Sequence, residues 1–159
     1  MKIERVEMAM LPGEPAYGQL APPDDAAFRP LDLPFAWPQR NSYAWLRFTA
    51  ATPDWPADDG PLFLLGMLSD SAWNALNPQG IVLCNGRPVG GIDTAHHEVR
   101  LVDRPNAGEP LEIAVLVWTG MSPSPGPARP FELAQLDAAC EQLGLDLATA
   151  VDTAACLEV

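Results

Sequence analysis

One stretch constrains this chain more than any other: residues 80–101, GIVLCNGRPVGGIDTAHHEVRL. Ile81, Val82, Leu83 and Cys84 form a short β-branched, apolar run. Asn85-Gly86 follows at once. Asn-Gly between apolar runs is the strongest short hairpin signal, because both residues tolerate φ > 0. Arg87-Pro88-Val89 resumes an extended path, since proline fixes φ and lacks a donor, and Gly90-Gly91 is expected to bend the chain again. Glu98-Val99-Arg100-Leu101 then alternates polar and apolar with the two-residue period of a half-buried strand. The pattern predicts a β-hairpin with a decorated loop inside a sandwich.

Other strands follow from the same logic. Residues 43–49, with Trp45 and Phe48, alternate and are rich in aromatics. Residues 61–68 are continuously apolar, as in a strand covered on both faces. Residues 111–118 and 131–136 complete the set. Residues 3–10 suit a short edge strand. Residues 11–42 show no period and read as a long irregular connection packed by Tyr17, Phe28, Phe35 and Trp37. Leu147, Ala150, Val151, Ala154 and Ala155 fall at helical spacing, which predicts a helix over 146–157 with Asp146 as its N-cap. That helix stops without a Gly or Pro terminator, and the expectation is that it leads to a further domain. The 18 prolines and 12 glycines concentrate between the apolar runs and so read as turn chemistry of a β-rich fold. The expected fold is mostly β: an antiparallel β-sandwich of the jelly-roll or galactose-binding kind with a C-terminal helix. The expected organisation is an irregular proline-rich segment (1–42) packed on the sandwich, the sandwich itself (43–138) and the helix (139–159).

Charge excludes some functions. Lys plus Arg number 9 and Asp plus Glu 21, a net −12. Nucleic acids and anionic membrane surfaces call for clustered basic charge, so neither is an expected partner. No run approaches the roughly 20 apolar residues of a membrane span. The three cysteines, Cys84, Cys140 and Cys156, are odd in number and form no CxxC, and the first residues lack the apolar core of a secretory signal. A reducing, cytoplasmic setting with free thiols is the expectation.

Few residues here can carry chemistry. Asp93, His96 and His97 are the one cluster with catalytic potential, and Asp93, His96 and Glu98 have the donors for a divalent cation. The plainer reading is that Asp93 and His96 hydrogen-bond the loop and fix its shape, with no metal. Cys84 ends an apolar strand, where a small buried thiol is the ordinary role. Trp55 and Trp73 lie in loops and are the candidate stacking platforms for a sugar, and Asn85, Arg87, Asp93, His96 and His97 are the polar residues expected to bind carbohydrate or to face an interface. Trp45 and Trp118, in strands, read as core.

The same central stretch resembles the domain that precedes the catalytic barrel in bacterial and vacuolar-type α-mannosidases, glycoside hydrolase family 38. Those domains carry Gly-aliphatic-Val-x-x-Asn-Gly-x-Pro-Val-x-Gly-Ile-Asp-x-x-His-x-Glu-Val. The matching residues are Gly80, Val82, Asn85, Gly86, Pro88, Val89, Gly91, Ile92, Asp93, His96, Glu98 and Val99. Trp118-Thr119-Gly120 is similar to the end of a later strand of the family. The resemblance implies a non-catalytic sandwich that packs on a glycoside hydrolase catalytic domain, assists contacts between subunits, or borders the substrate site. It implies zinc only for that catalytic domain, of which no segment of this chain is a match. An independent carbohydrate-binding module using Trp55 or Trp73 is the alternative, and a small enzyme using Asp93, His96 and His97 ranks last.

Overall fold

The computed structural model describes residues 1–16, 18–55, 60–70, 72, 74–123 and 126–157. Nine strands and one helix are assigned there: β1 (Val6–Met10), β2 (Arg29–Leu31), β3 (Tyr43–Ala51), β4 (Leu62–Leu65), β5 (Gln79–Cys84), β6 (Arg87–Ile92), β7 (Glu98–Val102), β8 (Pro110–Trp118), β9 (Glu132–Gln135) and α1 (Ala138–Leu157). All strand pairs are antiparallel. They form a six-stranded sheet, β2-β1-β3-β8-β5-β6, and a three-stranded sheet, β7-β4-β9.

The fold is the expected β-sandwich, and alternation along the strands explains it. Leu46 and Phe48 of β3, Val82 and Cys84 of β5, and Ile113 and Val115 of β8 share one core with Leu62 and Leu64 of β4, Val99 of β7 and Leu133 of β9. Their intervening neighbours on β3 and β8, such as Arg47, Thr49 and Glu112, face away. The strand of 61–68 is shorter than its apolar run, ending at Leu65, but Leu62, Phe63 and Leu64 are all buried. Phe131 packs on Phe48 at 5.3 Å between ring centroids and closes one side of the core.

The N-terminal segment is more regular than its composition suggests. β1 is an internal strand, flanked by β2 as well as β3, rather than the edge, and β2 lies within the stretch expected to be irregular. The rest of that stretch is tied down by Trp37, whose Nε1 donates to the Leu68 carbonyl at 2.6 Å, and by a bridge between Phe35 and Ala128. Phe28 lies under the Arg47 guanidinium at 3.9 Å, which holds the segment against the outer face of the large sheet. Trp45 is fully buried on that outer face, outside the shared core. Tyr17 lies outside the described residues.

The helix begins two turns earlier than its periodicity indicates. Asp137, not Asp146, caps it: its Oδ1 accepts the Cys140 N–H at 2.8 Å. That hydrogen bond is the first cause holding the Asp137 carboxyl below the usual carboxylate range. Asp146 sits inside the helix, where it accepts from Gln142 at 2.8 Å.

Candidate functional site

The central motif folds as two different devices at the two ends of β6. At the first end, Asn85 (φ 49°) and Gly86 (φ 75°) form the expected two-residue turn between β5 and β6. The Asn85 side chain does more than tolerate that φ. Its Oδ1 accepts the Glu112 N–H at 2.8 Å, while the Asn85 N–H donates to the Glu112 carbonyl at 2.8 Å, fixing the turn to β8. Arg87, the next residue, is exposed at the start of β6 opposite Cys84.

Gly90 and Gly91 do not bend the chain out of the sheet, as the sequence suggested. β6 continues through both, and the irregularity lies one residue earlier: Leu83 pairs with Pro88 and Val82 with Gly90, leaving Val89 as a bulge. The glycines serve close approach. A Cβ on Gly90 would lie 2.8 Å from Val99 Cγ1, and one on Gly80 would lie 2.9 Å from Val115 Cγ1 and 3.1 Å from the Leu116 carbonyl oxygen.

At the second end, residues 93–97 are not a hairpin loop. β6 closes one edge of the large sheet and β7 one edge of the small sheet, so the chain here crosses from one sheet to the other. Asp93 builds the corner. Its Oδ1 accepts the Ala95 and His96 N–H groups, each at 2.7 Å. The His96 ring lies 3.1 Å from both carboxylate oxygens, and the Asp93 N–H donates to the His96 carbonyl at 3.1 Å. His97 Nε2 donates to the Thr94 carbonyl at 2.7 Å, and the His97 carbonyl accepts from Gly66, just beyond β4, at 2.9 Å. Partial burial pushes the Asp93 carboxyl up, but the two backbone N–H donors and the His96 ring outweigh it and hold the carboxyl below its usual range.

The candidate residues therefore do not converge. Asn85 and Arg87 sit at one end of β6; Asp93, His96 and His97 sit at the other, about 17 Å away at the rise of a strand. Trp55 follows β3 at the Asn85 end, half-buried and packed against the core. Trp73 lies outside the described residues. Cys84 is buried, and burial raises its thiol pKa, with Glu109 adding to the effect.

A shallow groove of about 470 Å³ runs beside the corner, with Gly80, Gly90 and Gly91 in its wall and Gln79, Asp93, His96, Glu98 and Arg100 around it. These groups can hydrogen-bond a polar ligand. The Asp93 carboxylate is engaged at the corner, Oδ1 by two backbone N–H groups and both oxygens by the His96 ring. Among the described residues no three His, Cys, Asp or Glu side chains are brought together as metal ligands, so Asp93, His96 and Glu98 do not form such a set. A second groove, of about 590 Å³, lies on the outer face of the large sheet between Leu20–Pro22 of the N-terminal segment and Arg47, Thr49 and Glu112 of β3 and β8. Glu7 holds Arg5 at 2.7 Å and Arg47 at 2.8 Å along its rim. Sequence reasoning passed over this groove, because the segment that covers it shows no period; the spacing of Arg47 and Thr49 on the outward face of β3 was the available signal.

No family model matches the sequence, and no curated protein matches it. Solved chains with a similar fold include a β-glucuronidase from glycoside hydrolase family 2, with a TM-score of 0.45, 17% identity, and coverage of 72% of this chain and 13% of that one. Another is a β-glucuronidase of an uncultured Clostridium sp., with a TM-score of 0.45, 13% identity, and coverage of 82% of this chain and 28% of that one. Both are β-glucuronidases, the first of glycoside hydrolase family 2, rather than the family 38 α-mannosidases that the central motif resembles, and such values are too low to decide a family or an activity. This chain spans less than a third of either protein's length. No helix among the described residues is long and apolar enough to cross a membrane.

Proposed function

We propose that this chain is a non-catalytic β-sandwich domain of a glycoside hydrolase, one that supports its catalytic domain and borders the substrate site through the corner at 93–97. The observation that carries the non-catalytic part is the use of the motif itself. Gly80 gives way to Val115, Asn85 and Gly86 supply the turn, and Asp93 spends both carboxylate oxygens on the corner. Asn85 and Asp93 fix a turn and a corner of the chain, and this use of the motif's polar residues supports a structural role. The glycosidase association rests on the sequence resemblance to α-mannosidases, and with it come an α-mannoside substrate, a zinc-bearing catalytic partner domain and a cytoplasmic setting for the parent enzyme.

A second reading, an independent carbohydrate-binding module, draws support from the groove beside Asp93, which offers polar side chains over a glycine wall at the size of a monosaccharide. Isothermal titration of the chain with mannose, mannobiose and galactose, with and without zinc, separates the two. The ancillary reading expects no saturable heat and no hydrolysis of aryl α-mannosides. Saturable heat abolished by Asp93→Ala moves the assignment to the binding module, and turnover by the chain alone overturns both.

A further inference from the structure

The groove on the outer face of the large sheet has a floor, a wall and a charged end. One row of outward side chains crosses the strands there in register: Glu7 on β1, Arg47 on β3, Ala114 on β8 and Leu83 on β5. The other outward residues of β8 are Glu112, Leu116 and Trp118, so Ala114 is the small one among them. It leaves a hollow in the face, and Leu20–Pro22 of the N-terminal segment wall it in to enclose about 590 Å³. A space of that order suits a small organic molecule.

The charged end is organised around Arg47. Its Nε donates to Glu7 Oε2 at 2.8 Å, and its guanidinium lies 3.9 Å above the Phe28 ring. Arg5 donates to the other oxygen of the same carboxylate at 2.7 Å. These contacts hold a long side chain in one place. They leave both Arg47 Nη groups without a hydrogen-bond partner among the described residues. Two guanidinium groups share one carboxylate here, so this end is cationic in a chain of net charge −12.

We propose that the groove binds a small organic acid, its carboxylate on the Nη groups of Arg47 with Arg5 beside it and its apolar body over Ala114 against Leu20 and Pro22. A guanidinium offers paired N–H donors in the plane that a carboxylate accepts, and one already fixed by Glu7 and Phe28 has less freedom to lose on binding. Glu112, which lines the groove one strand nearer β5, repels a carboxylate and so sets the direction in which the acid lies. A bare oxyanion would leave the apolar wall wet, which is why the ligand needs a body. None of these residues belongs to the corner at 93–97, and binding here does not depend on a glycoside hydrolase parent.

Isothermal titration of the chain with cinnamate, a flat acid, and with hexanoate, a linear one, tests the proposal. The expected result is saturable one-to-one binding of at least one of them with a dissociation constant below about 1 mM. Methyl cinnamate, which lacks the charge, should bind at least about 10-fold more weakly than cinnamate, as should cinnamate to Arg47→Gln, because each loses charge-assisted hydrogen bonds. Arg47 is half exposed, so this variant should keep the fold, and unchanged near-ultraviolet circular dichroism checks that. Ala114→Leu, which fills the hollow, should abolish binding while leaving Arg47 in place. Absence of saturable heat with both acids overturns the proposal, as does binding indifferent to Arg47→Gln. Inorganic phosphate that displaced the acid with equal affinity would also overturn it, since the groove would then take charge without regard to an apolar body.

Discussion

The two ends of β6 reach the same result, a fixed reversal of the chain, by opposite means. At the Asn85-Gly86 end the shape resides in the backbone: two residues at φ > 0 that most side chains resist. At the 93–97 end it resides in one carboxylate, which gathers two N–H groups and an imidazole around itself. The first needs particular residues for what they lack or tolerate; the second needs one for what it binds. The turn should therefore answer to backbone substitutions and ignore pH, whereas the corner should answer to the loss of a charge.

The strongest way to break the comparison lies beneath the corner. Gly80, the second residue of β5, lies beside it, and an added Cβ would meet Val115 Cγ1 at 2.9 Å, the Leu116 carbonyl oxygen at 3.1 Å and Leu68 Cδ1 at 3.2 Å. Val115 and Leu68 are fully buried and have nowhere to move. Gly80→Ala should cost about 3 kcal/mol, read from urea unfolding, as overpacked cores do. An effect below about 1 kcal/mol would mean that β5 and β8 can slide apart.

Asp93→Ala comes next. It orphans the Ala95 and His96 N–H groups, and losses of this kind at helix caps cost about 1–2 kcal/mol. Asp93→Asn, which keeps the acceptor, should recover part of it. His96→Ala should move stability by less than about 0.5 kcal/mol, because the ring is three-quarters exposed. If His96 proved the costlier of the two, the carboxylate would not be the organiser of the corner. At the other end, Gly86→Ala has open space around its Cβ, so only the left-handed φ opposes it. The expected loss is about 1 kcal/mol.

The contrast also explains what could be read from the sequence. The turn was legible because its signal is local: Asn-Gly between two apolar runs has one common fold. The corner was misread as a hairpin loop because nothing in residues 93–97 announces that β6 and β7 belong to different sheets. That follows from which strands flank them, and β7 finds its partner in β4, more than thirty residues away. The candidate cluster fared likewise: Asn85 and Asp93 are close in sequence, but a strand between them carries them to opposite ends of the sandwich. β2 was missed because Arg29-Pro30-Leu31 has no period to show and owes its extension to pairing with β1. The helix start was misplaced because Gly144 interrupts its first half, a residue that lowers helix propensity by about 1 kcal/mol against alanine.

The smallest effect discriminates best between the two ends. Asp93 has a folded-state pKa below its unfolded value, so its ionised form stabilises the fold. That contribution is fully present above about 3.9, the ordinary value for an aspartate in an unfolded chain, and is lost as pH falls through the lowered folded value. Denaturation midpoints of wild type and Asp93→Asn should therefore differ by a constant amount from neutral pH to the onset of carboxylate titration, then converge in acid. Gly86→Ala should keep its offset from wild type across the same range, since no ionisable group enters the turn's geometry. A wild type and Asp93→Asn pair that stayed parallel into acid would show that the corner uses the Asp93 oxygen as a neutral acceptor, leaving the two ends of β6 alike in their indifference to charge.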